Sequence, residues 1–279
     1  MQFTKIQGVG NDFIILNNMR LNLSKDKFPY LAKRLCERKV SIGADGLMII
    51  DYSEGNSDFK MLFFNSDGSV GEMCGNGARC IARYAYTNNL APKNMTFETT
   101  AGLVSAEILE NRQVKVKLNN PGIINLNNDI NIDGTNYKCT YIELGSPGIP
   151  HLVLSYQGLK NTCTADIYEL GKSLRYYKEL PKGANVNFFD VLDEKTIVVK
   201  TYERGVEDFT LACGTGSAST AIALLLNKYI NENVIKVIVP GGELFVEIEM
   251  KDEKINKVFL IGDTNIVAIG NIMDEDLNL

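Results

Sequence analysis

The chain repeats itself, and the repeat constrains the fold more than any other feature. Four landmarks recur in one order: Gly10-Asn11-Asp12-Phe13-Ile14 and Gly148-Ile149-Pro150-His151-Leu152, Gly43-Ala44-Asp45 and Gly183-Ala184-Asn185, Cys74-Gly75-Asn76-Gly77-Ala78 and Cys213-Gly214-Thr215-Gly216-Ser217, and Ala101-Gly102 with Glu107-Ile108 and Gly241-Gly242 with Glu247-Ile248. The cysteines are 139 positions apart (213 − 74), and the other offsets are 138 to 140. Common glycines do not align by chance over so much of a chain, so the sequence reads as a tandem of two similar halves. A length of 279 residues suits two domains of about 120 to 150 residues each. The turn-forming cluster Asn119-Asn120-Pro121-Gly122 is the natural boundary. The expected halves are therefore 1–120 and 121–264. The tail, about 265–279, falls outside the second copy and is expected to return to the first half as an added strand.

Short β-type runs alternate with a few helices, which predicts an α/β (α+β) chain of two pseudo-symmetric domains. Strands are expected at 13–16, 47–51, 60–64, 103–109, 114–118, 137–144, 152–154, 196–202, 244–250 and 258–261, between clusters of Gly, Asn, Asp and Pro. Leu31 and Leu35 mark an amphipathic helix, and Leu170 and Leu174 mark its counterpart. Behind Cys74 the residues Ala78, Ile81, Ala82 and Ala85 follow helical spacing. Behind Cys213 the run 218–226 is apolar nearly all round, as in a helix wrapped by sheet.

A net charge of −5 and the absence of a basic run argue against a nucleic-acid surface. The longest aliphatic stretch of note, Ala221 to Leu226, is too short to span a bilayer, and the N-terminal residues lack the pattern of a secretory signal. Six cysteines at irregular spacing, without a C-x2-C pair, suggest neither a disulfide framework nor zinc, so no metal is expected. The expectation is a cytoplasmic protein acting on a small molecule, with no nucleic-acid or membrane partner.

Each cysteine phrase follows a strand-like run and opens a helix of small residues. A thiol there meets exposed N–H groups and the positive end of the helix dipole, which favour a thiolate. Two such thiols on two related halves suggest one sulfur on each face of a bound molecule. One can take a proton from carbon while the other returns a proton to the opposite face, inverting a stereocentre. The N–H groups of the two glycine-rich helix starts would hold the substrate carboxylate and stabilise the carbanion-like transition state. No cofactor is needed in principle. A phosphate-loop cysteine enzyme would need Arg at position 80, which is Cys, and no Gly-Lys-Ser or Gly-Lys-Thr marks a nucleotide loop. A non-catalytic amino-acid-binding protein is the alternative of a different class, though a binder needs no paired thiols. Cys36, Cys80, Cys139 and Cys163 lack the duplicated context and read as core or surface thiols. By local sequence Asn11 and Asn65 read as turn formers.

Cys74-Gly75-Asn76-Gly77-Ala78-Arg79, Tyr202-Glu203-Arg204-Gly205 ahead of Ala212-Cys213-Gly214-Thr215-Gly216, Gly8-Val9-Gly10-Asn11-Asp12-Phe13 and Phe64-Asn65-Ser66-Asp67-Gly68-Ser69 resemble the diaminopimelate epimerases over essentially the whole chain. The resemblance implies two domains, each a curled mixed sheet around a central helix, with the active site between them and usually a homodimer. It implies a two-base epimerase without cofactor that converts LL- to meso-diaminopimelate, a precursor of lysine and peptidoglycan. Carried over by position, Cys74 and Cys213 are the acid/base pair, and His151 and Glu203 tune the thiols. Gly75, Asn76, Gly214, Thr215 and Glu203 hold the reacting end of the substrate. Asn11, Asn65, Asn185 and Arg204 also bind it, the last three toward its far end. Two positions depart from the pattern. The family's Gly-Asn-Pro-His reads Gly148-Ile149-Pro150-His151, and Gly46 follows Asp45 where some members have Gln. Ile149 removes an amide from the far end, which keeps another amino acid, such as lanthionine or histidine, open as substrate.

Overall fold

The computed structural model describes residues 1–71, 74–145 and 148–277. The chain divides into two compact units, Met1–Val116 with Gly262–Leu279, and Lys117–Ile261.

In chain order the elements are β1 (Gln2–Gly8), β2 (Asn11–Asn17), α1 (Asn18–Leu21), α2 (Phe28–Cys36), β3 (Gly46–Asp51), β4 (Phe59–Asn65), α3 (Gly75–Thr87), β5 (Asn94–Thr99), β6 (Gly102–Ile108) and β7 (Gln113–Leu118). They continue with β8 (Pro121–Ile132), β9 (Thr135–Gly145), β10 (Gly148–Ser155), α4 (Tyr168–Arg175), β11 (Asn185–Asp193), β12 (Thr196–Glu203), β13 (Asp208–Phe209), α5 (Gly214–Leu226), β14 (Val234–Val239), β15 (Gly242–Lys251), β16 (Lys254–Asp263) and β17 (Asn265–Asn271).

The first unit is a mixed sheet. β17 pairs antiparallel with β1, β1 antiparallel with β2, β2 parallel with β3, β3 antiparallel with β4, β4 parallel with β5, and β5 antiparallel with β6. The second unit runs through the same senses: β8 with β9 and β9 with β10 antiparallel, β10 with β11 parallel, β11 with β12 antiparallel, β12 with β14 parallel, and β14 with β15 antiparallel. β17 thus holds in the first unit the place that β8 holds in the second, although it comes from the other end of the chain.

Helix α3 is the axis of the first core. Its Ala78, Ile81, Ala82 and Ala85 are wholly buried against Ile6, Phe13, Met48, Phe59, Phe97 and Val116, drawn from β1 to β5 and β7. Alanines at these positions let strands curl close round the helix. α2 covers the outer face, where Leu31 and Leu35 meet Ile14, Leu16, Leu47 and Ile49. β2 and β3 are therefore buried on both faces, which explains their unbroken apolar runs. In the second unit α5 takes the central place, with Ala218, Ala221, Ile222 and Leu224 at most 1 % exposed. α4 packs Leu174 against Leu152, Val186 and Phe188.

Two local expectations fail for physical reasons. Pro121 and Gly122, read as part of a turn, open β8. Pro121 is the first residue of the strand, where a missing N–H costs least, and bulges between Pro121/Ile123 and Asn125/Asn128 absorb the irregular sequence. β1, β5, β8, β11, β13 and β14 have no counterpart among the expected strands. Polar side chains break the period-2 pattern in β8, and β11 carries Asn185 and Asn187 where apolar residues are expected.

Candidate functional site

Cys74 caps the start of α3 and Cys213 the start of α5, and both helices are 13 residues long. Each cysteine is extended, with φ of −106° and −111°, and its carbonyl accepts the first helical bond, from Ala78 N at 2.8 Å and Ser217 N at 2.9 Å. The duplicated phrase therefore delivers one geometry twice: a thiol at the positive end of a buried helix.

In the first unit Cys74 is half-buried, and Gly75 and Asn76 are buried. The Asn76 amide donates to Asn11 Oδ1. Asn11 in turn donates to Asp45 Oδ2 at 3.1 Å, an oxygen that also accepts from Asp12 N. Asp12 sits between Lys5 and Arg38; burial alone would raise its carboxyl, but hydrogen bonds and charge from those two cations hold it below the usual range. Asn65 stands apart from this group. It is exposed at a turn, where its amide donates to Ser69 Oγ at 2.9 Å and its carbonyl accepts from Gly68 N. Gly68 is required there, with φ +88° and a would-be Cβ 2.6 Å from Pro29 O. Gly46 has an equally concrete cause, since a Cβ on it would lie 2.5 Å from the Phe63 ring and 2.7 Å from Phe64 O.

In the second unit Cys213 is 6 % exposed, and its Sγ accepts from Gly216 N at 3.3 Å and lies 3.5 Å from Thr215 Oγ1. Gly214 is buried and Thr215 half-buried beside it. Asn187, which the sequence reading passed over, lies behind them. A Cβ on Gly216 would meet Asn187 Oδ1 at 2.2 Å, Thr201 Oγ1 at 3.1 Å and Cys213 Sγ at 3.2 Å. Thr201 Oγ1 donates to Asn187 Oδ1 at 2.9 Å, so the other end of the amide faces Leu152 O at 2.9 Å and His151 Nδ1 at 3.2 Å. His151 Nδ1 is the acceptor in that contact, which leaves its proton on Nε2, an atom without a partner among the described residues. Burial pulls His151 down to about 3, and the Arg204 charge adds to the effect. The ring is neutral at ordinary pH. The signal for Asn187 was available in Asn185-Val186-Asn187: two polar residues on one face of an otherwise apolar strand.

Glu203 and Arg204 lie at the start of a β12–β13 hairpin. Thr210 Oγ1 donates to Glu203 Oε2 at 2.9 Å, and burial raises the Glu203 carboxyl against that bond. The Arg204 backbone donates to Asn185 Oδ1 at 2.7 Å, and its guanidinium to Lys182 O at 3.2 Å. Asn185 is 4 % exposed and pairs across the sheet with His151. The second unit thus gathers Cys213, Gly214 and Thr215 with His151 through Asn187, and Asn185 with Arg204. Ile149 lies in β10 opposite Leu144.

Burial pushes Cys36, Cys80 and Cys139 up to about 12, so they stay protonated in the core, and Cys163 is exposed. Among the described residues no three His, Cys, Asp or Glu side chains gather as metal ligands, and no helix is long and apolar enough to cross a membrane.

A family model described as diaminopimelate epimerase matches residues 3–124 and 145–267. A diaminopimelate epimerase of Aquifex aeolicus (strain VF5) is 37% identical, covering 99% of this chain and 99% of its own. One of Hydrogenobaculum sp. (strain Y04AAS1) is 38% identical at the same coverage. Among solved structures, a phenazine biosynthesis protein of the PhzF family from Bacillus anthracis superposes with a TM-score of 0.73 at 14% identity, covering 98% of this chain and 99% of that one; this likeness concerns the fold alone.

Proposed function

The chain belongs to the diaminopimelate epimerase family, and from that premise we propose that it inverts the α-carbon of diaminopimelate, between the LL and meso forms, with Cys74 and Cys213 as the two bases. The observation that carries the reading is the matched pair of cysteines capping two 13-residue helices at equivalent places in a duplicated fold. One sulfur, as thiolate, takes the α-proton; the other, as thiol, gives its proton to the opposite face. The substrate carboxylate would accept from N–H groups of a cysteine-capped helix start, which favour the charge that develops on deprotonation. The Cys213 sulfur accepts from Gly216 N, a contact that favours its thiolate form and supports its role as a base. His151, being neutral, acts on Cys213 through Asn187 and the packing at Gly216 rather than as a cation. Glu203, with its raised carboxyl, is suited to tuning a neighbouring thiol by proton exchange. Asn185 and Arg204 serve the far end of the substrate, and Asn11 and Asn76 the end nearer Cys74. Asn65 would have to release Ser69 to join them.

Ile149 favours a second reading in which the same mechanism serves another amino acid. An aliphatic side chain offers no hydrogen bond to a charged far end, and one unpaired buried group costs about 1 to 3 kcal/mol, tenfold to a hundredfold in kcat/KM. The unbridged thiols Cys36, Cys80 and Cys139 suit a reducing, cytoplasmic setting. A homodimer completes the proposal and is read from the mass of the purified chain in solution.

The experiment follows α-proton exchange in D2O by NMR with LL- and meso-diaminopimelate, lanthionine, histidine and common L-amino acids. Wild type is expected to exchange both diaminopimelate isomers. Cys74→Ala and Cys213→Ala lose inversion, while each Cys→Ser variant keeps slow exchange from one isomer only. Normal inversion by either Ala variant refutes the two-base assignment. A tenfold preference for another amino acid transfers the mechanism to that substrate, and no exchange with any of them favours a binding protein.

A further inference from the structure

Arg79 is the largest fully buried side chain among the described residues, at 0 % exposure, and the two-base reading gives it no role. Its Nη2 donates to Asn76 Oδ1 at 2.9 Å and its Nη1 to Gly75 O at 3.4 Å, while Nε has no partner among the described residues. Neither partner is a carboxylate. Burial pulls the guanidinium below its usual range, and the nearby Cys80, Cys74 and Asp263 oppose this. Gly8 makes the room: a Cβ there would lie 3.2 Å from Cys80 Sγ and 3.5 Å from Arg79 Nη2. A buried cation held by neutral groups is a poor source of stability, since an apolar side chain of similar size is often no worse. Its use has to be sought in orientation and charge.

Hydrogen bonds run in one direction away from it. Arg79 donates to Asn76 Oδ1, Asn76 Nδ2 donates to Asn11 Oδ1, and Asn11 Nδ2 donates to Asp45 Oδ2. A guanidinium can only donate and an ionised carboxylate can only accept. With a fixed donor at one end and a fixed acceptor at the other, neither amide can turn over without breaking two bonds, and the opposite end charges polarise the chain between them. At the carboxylate end Asp45 and Asp12 are held by Arg38, and Asp12 by Lys5 as well. At the other end the guanidinium grips the carbonyl of Gly75, the residue after Cys74.

We propose that Arg79 is a positioning residue for the two-thiol reaction, fixing the Asn76 and Asn11 amides in one orientation and holding a positive charge beside the helix start that Cys74 caps. The proposal rests on the two-base reading, so its test needs a readout independent of turnover. That readout is the pH dependence of Cys74 alkylation by iodoacetamide in the full-length protein, resolved by peptide mass spectrometry with Cys213 as internal reference. In Arg79→Met the Cys74 midpoint is expected to rise by about one pH unit, with Cys213 unmoved and kcat/KM down at least tenfold. Arg79→Lys, which keeps the charge, should return the midpoint close to wild type. In Asp45→Asn, an exposed site that does not threaten folding, the far anchor is weakened; KM should rise several-fold and the Cys74 midpoint stay put. A folded Arg79→Met protein with wild-type midpoint and kcat/KM overturns the proposal. An equal shift at Cys213 does the same, and so does an unchanged KM in Asp45→Asn, even if Arg79→Met fails to fold. Absence of exchange in the wild type would refute the two-base reading instead and leaves the alkylation result standing.

Discussion

At the scale of single residues the duplication is unequal, and glycine shows it best. Gly77 and Gly216 occupy the same position, third in their helices, yet a Cβ on Gly77 comes no nearer than 3.5 Å to its neighbours, Met48 Sδ and Cε and Cys74 Cβ among the described residues, whereas one on Gly216 falls 2.2 Å from Asn187 Oδ1. Gly77→Ala should therefore stabilise the protein by up to about 1 kcal/mol, the helical advantage of Ala over Gly. Gly216→Ala should cost about 1 to 3 kcal/mol, as overpacking does, because Asn187 is fully buried and bonded to Thr201 and Leu152. Midpoints of chemical denaturation decide the pair, and equal effects would refute the packing argument. His151 adds a pH signature. Its folded pKa of about 3 lies below the ordinary histidine value of 6.5, so the unfolded chain binds a proton that the folded one refuses. Stability attributable to this residue is complete above pH 6.5 and falls as pH drops toward about 3, by about 1.4 kcal/mol per pH unit where the difference is one proton. His151→Gln should flatten the stability curve between those pH values, and an unchanged slope would mean that the buried ring is protonated in the folded state.

At the scale of elements, the hairpin that carries Glu203 and Arg204 is held by contacts outside its own strands. Arg175 at the end of α4 donates to Glu207 Oε1 at 2.9 Å, the same oxygen accepts from Gly205 N at 3.0 Å, and Glu207 O accepts from Tyr202 OH at 2.8 Å. Gly205 at φ +92° and Glu207 at φ +58° supply the left-handed turns that the loop needs. Arg175 also lies over Gly183, whose absent Cβ would sit 1.8 Å from Arg175 Nη1. One arginine thus joins the helix, the approach to Asn185 and the hairpin. Arg175→Met should leave the half-buried Glu207 carboxylate short of a partner, costing about 1 to 3 kcal/mol, and speed hydrogen exchange at the amides of 204–207. Exchange that stays at the wild-type rate would show that the β12–β13 pairing orders the hairpin without the ion pair. The sheet itself gave weaker sequence signals than the helices. α3 and α5 were legible because helical spacing and a capping cysteine reinforce each other, whereas β11 was hidden by the buried Asn185 and Asn187, whose side-chain partners outside β11 lie 14 to 36 residues away, in Arg204 for Asn185 and in Thr201, Leu152 and His151 for Asn187.

At the scale of the whole molecule, what the sequence made legible was whatever repeats most plainly: two cysteine-capped helices, two outer helices and some of the strands between them. What it hid depends on contacts between residues far apart in the chain, such as the links from Arg79 through Asn76 and Asn11 to Asp45, and the Asn187 junction. Each amide there takes its orientation from a partner that no local spacing identifies. The strands β8 and β17 are the clearest case, because they fill one place in the repeated sheet from opposite sides of it in sequence. β8 precedes β9 through the turn at Asp133 and Gly134, with Ile132 paired to Thr135, while β17 reaches β1 with Asn271 paired to Gln2 and Ile272 N donating to Met1 O at 2.8 Å. The end of β17 is therefore beside the start of β1, as the end of β8 is beside the start of β9. Past it the chain returns over α2, where Arg34 grips Asp274 through two bonds of 2.7 Å. Cutting the chain after Thr264 should expose the β1 edge and the Ile266 packing site and leave a protein that aggregates or unfolds at lower temperature. A permutant that begins at Asn265, runs through Leu277 and joins Met1 by a short linker before ending at Thr264 should regain the wild-type melting temperature within a few degrees, since every β17 pairing survives and only the connection changes. If the permutant melts like the truncated chain, β17 depends on its covalent link to β16, and its equivalence with β8 is one of position without being one of energetics.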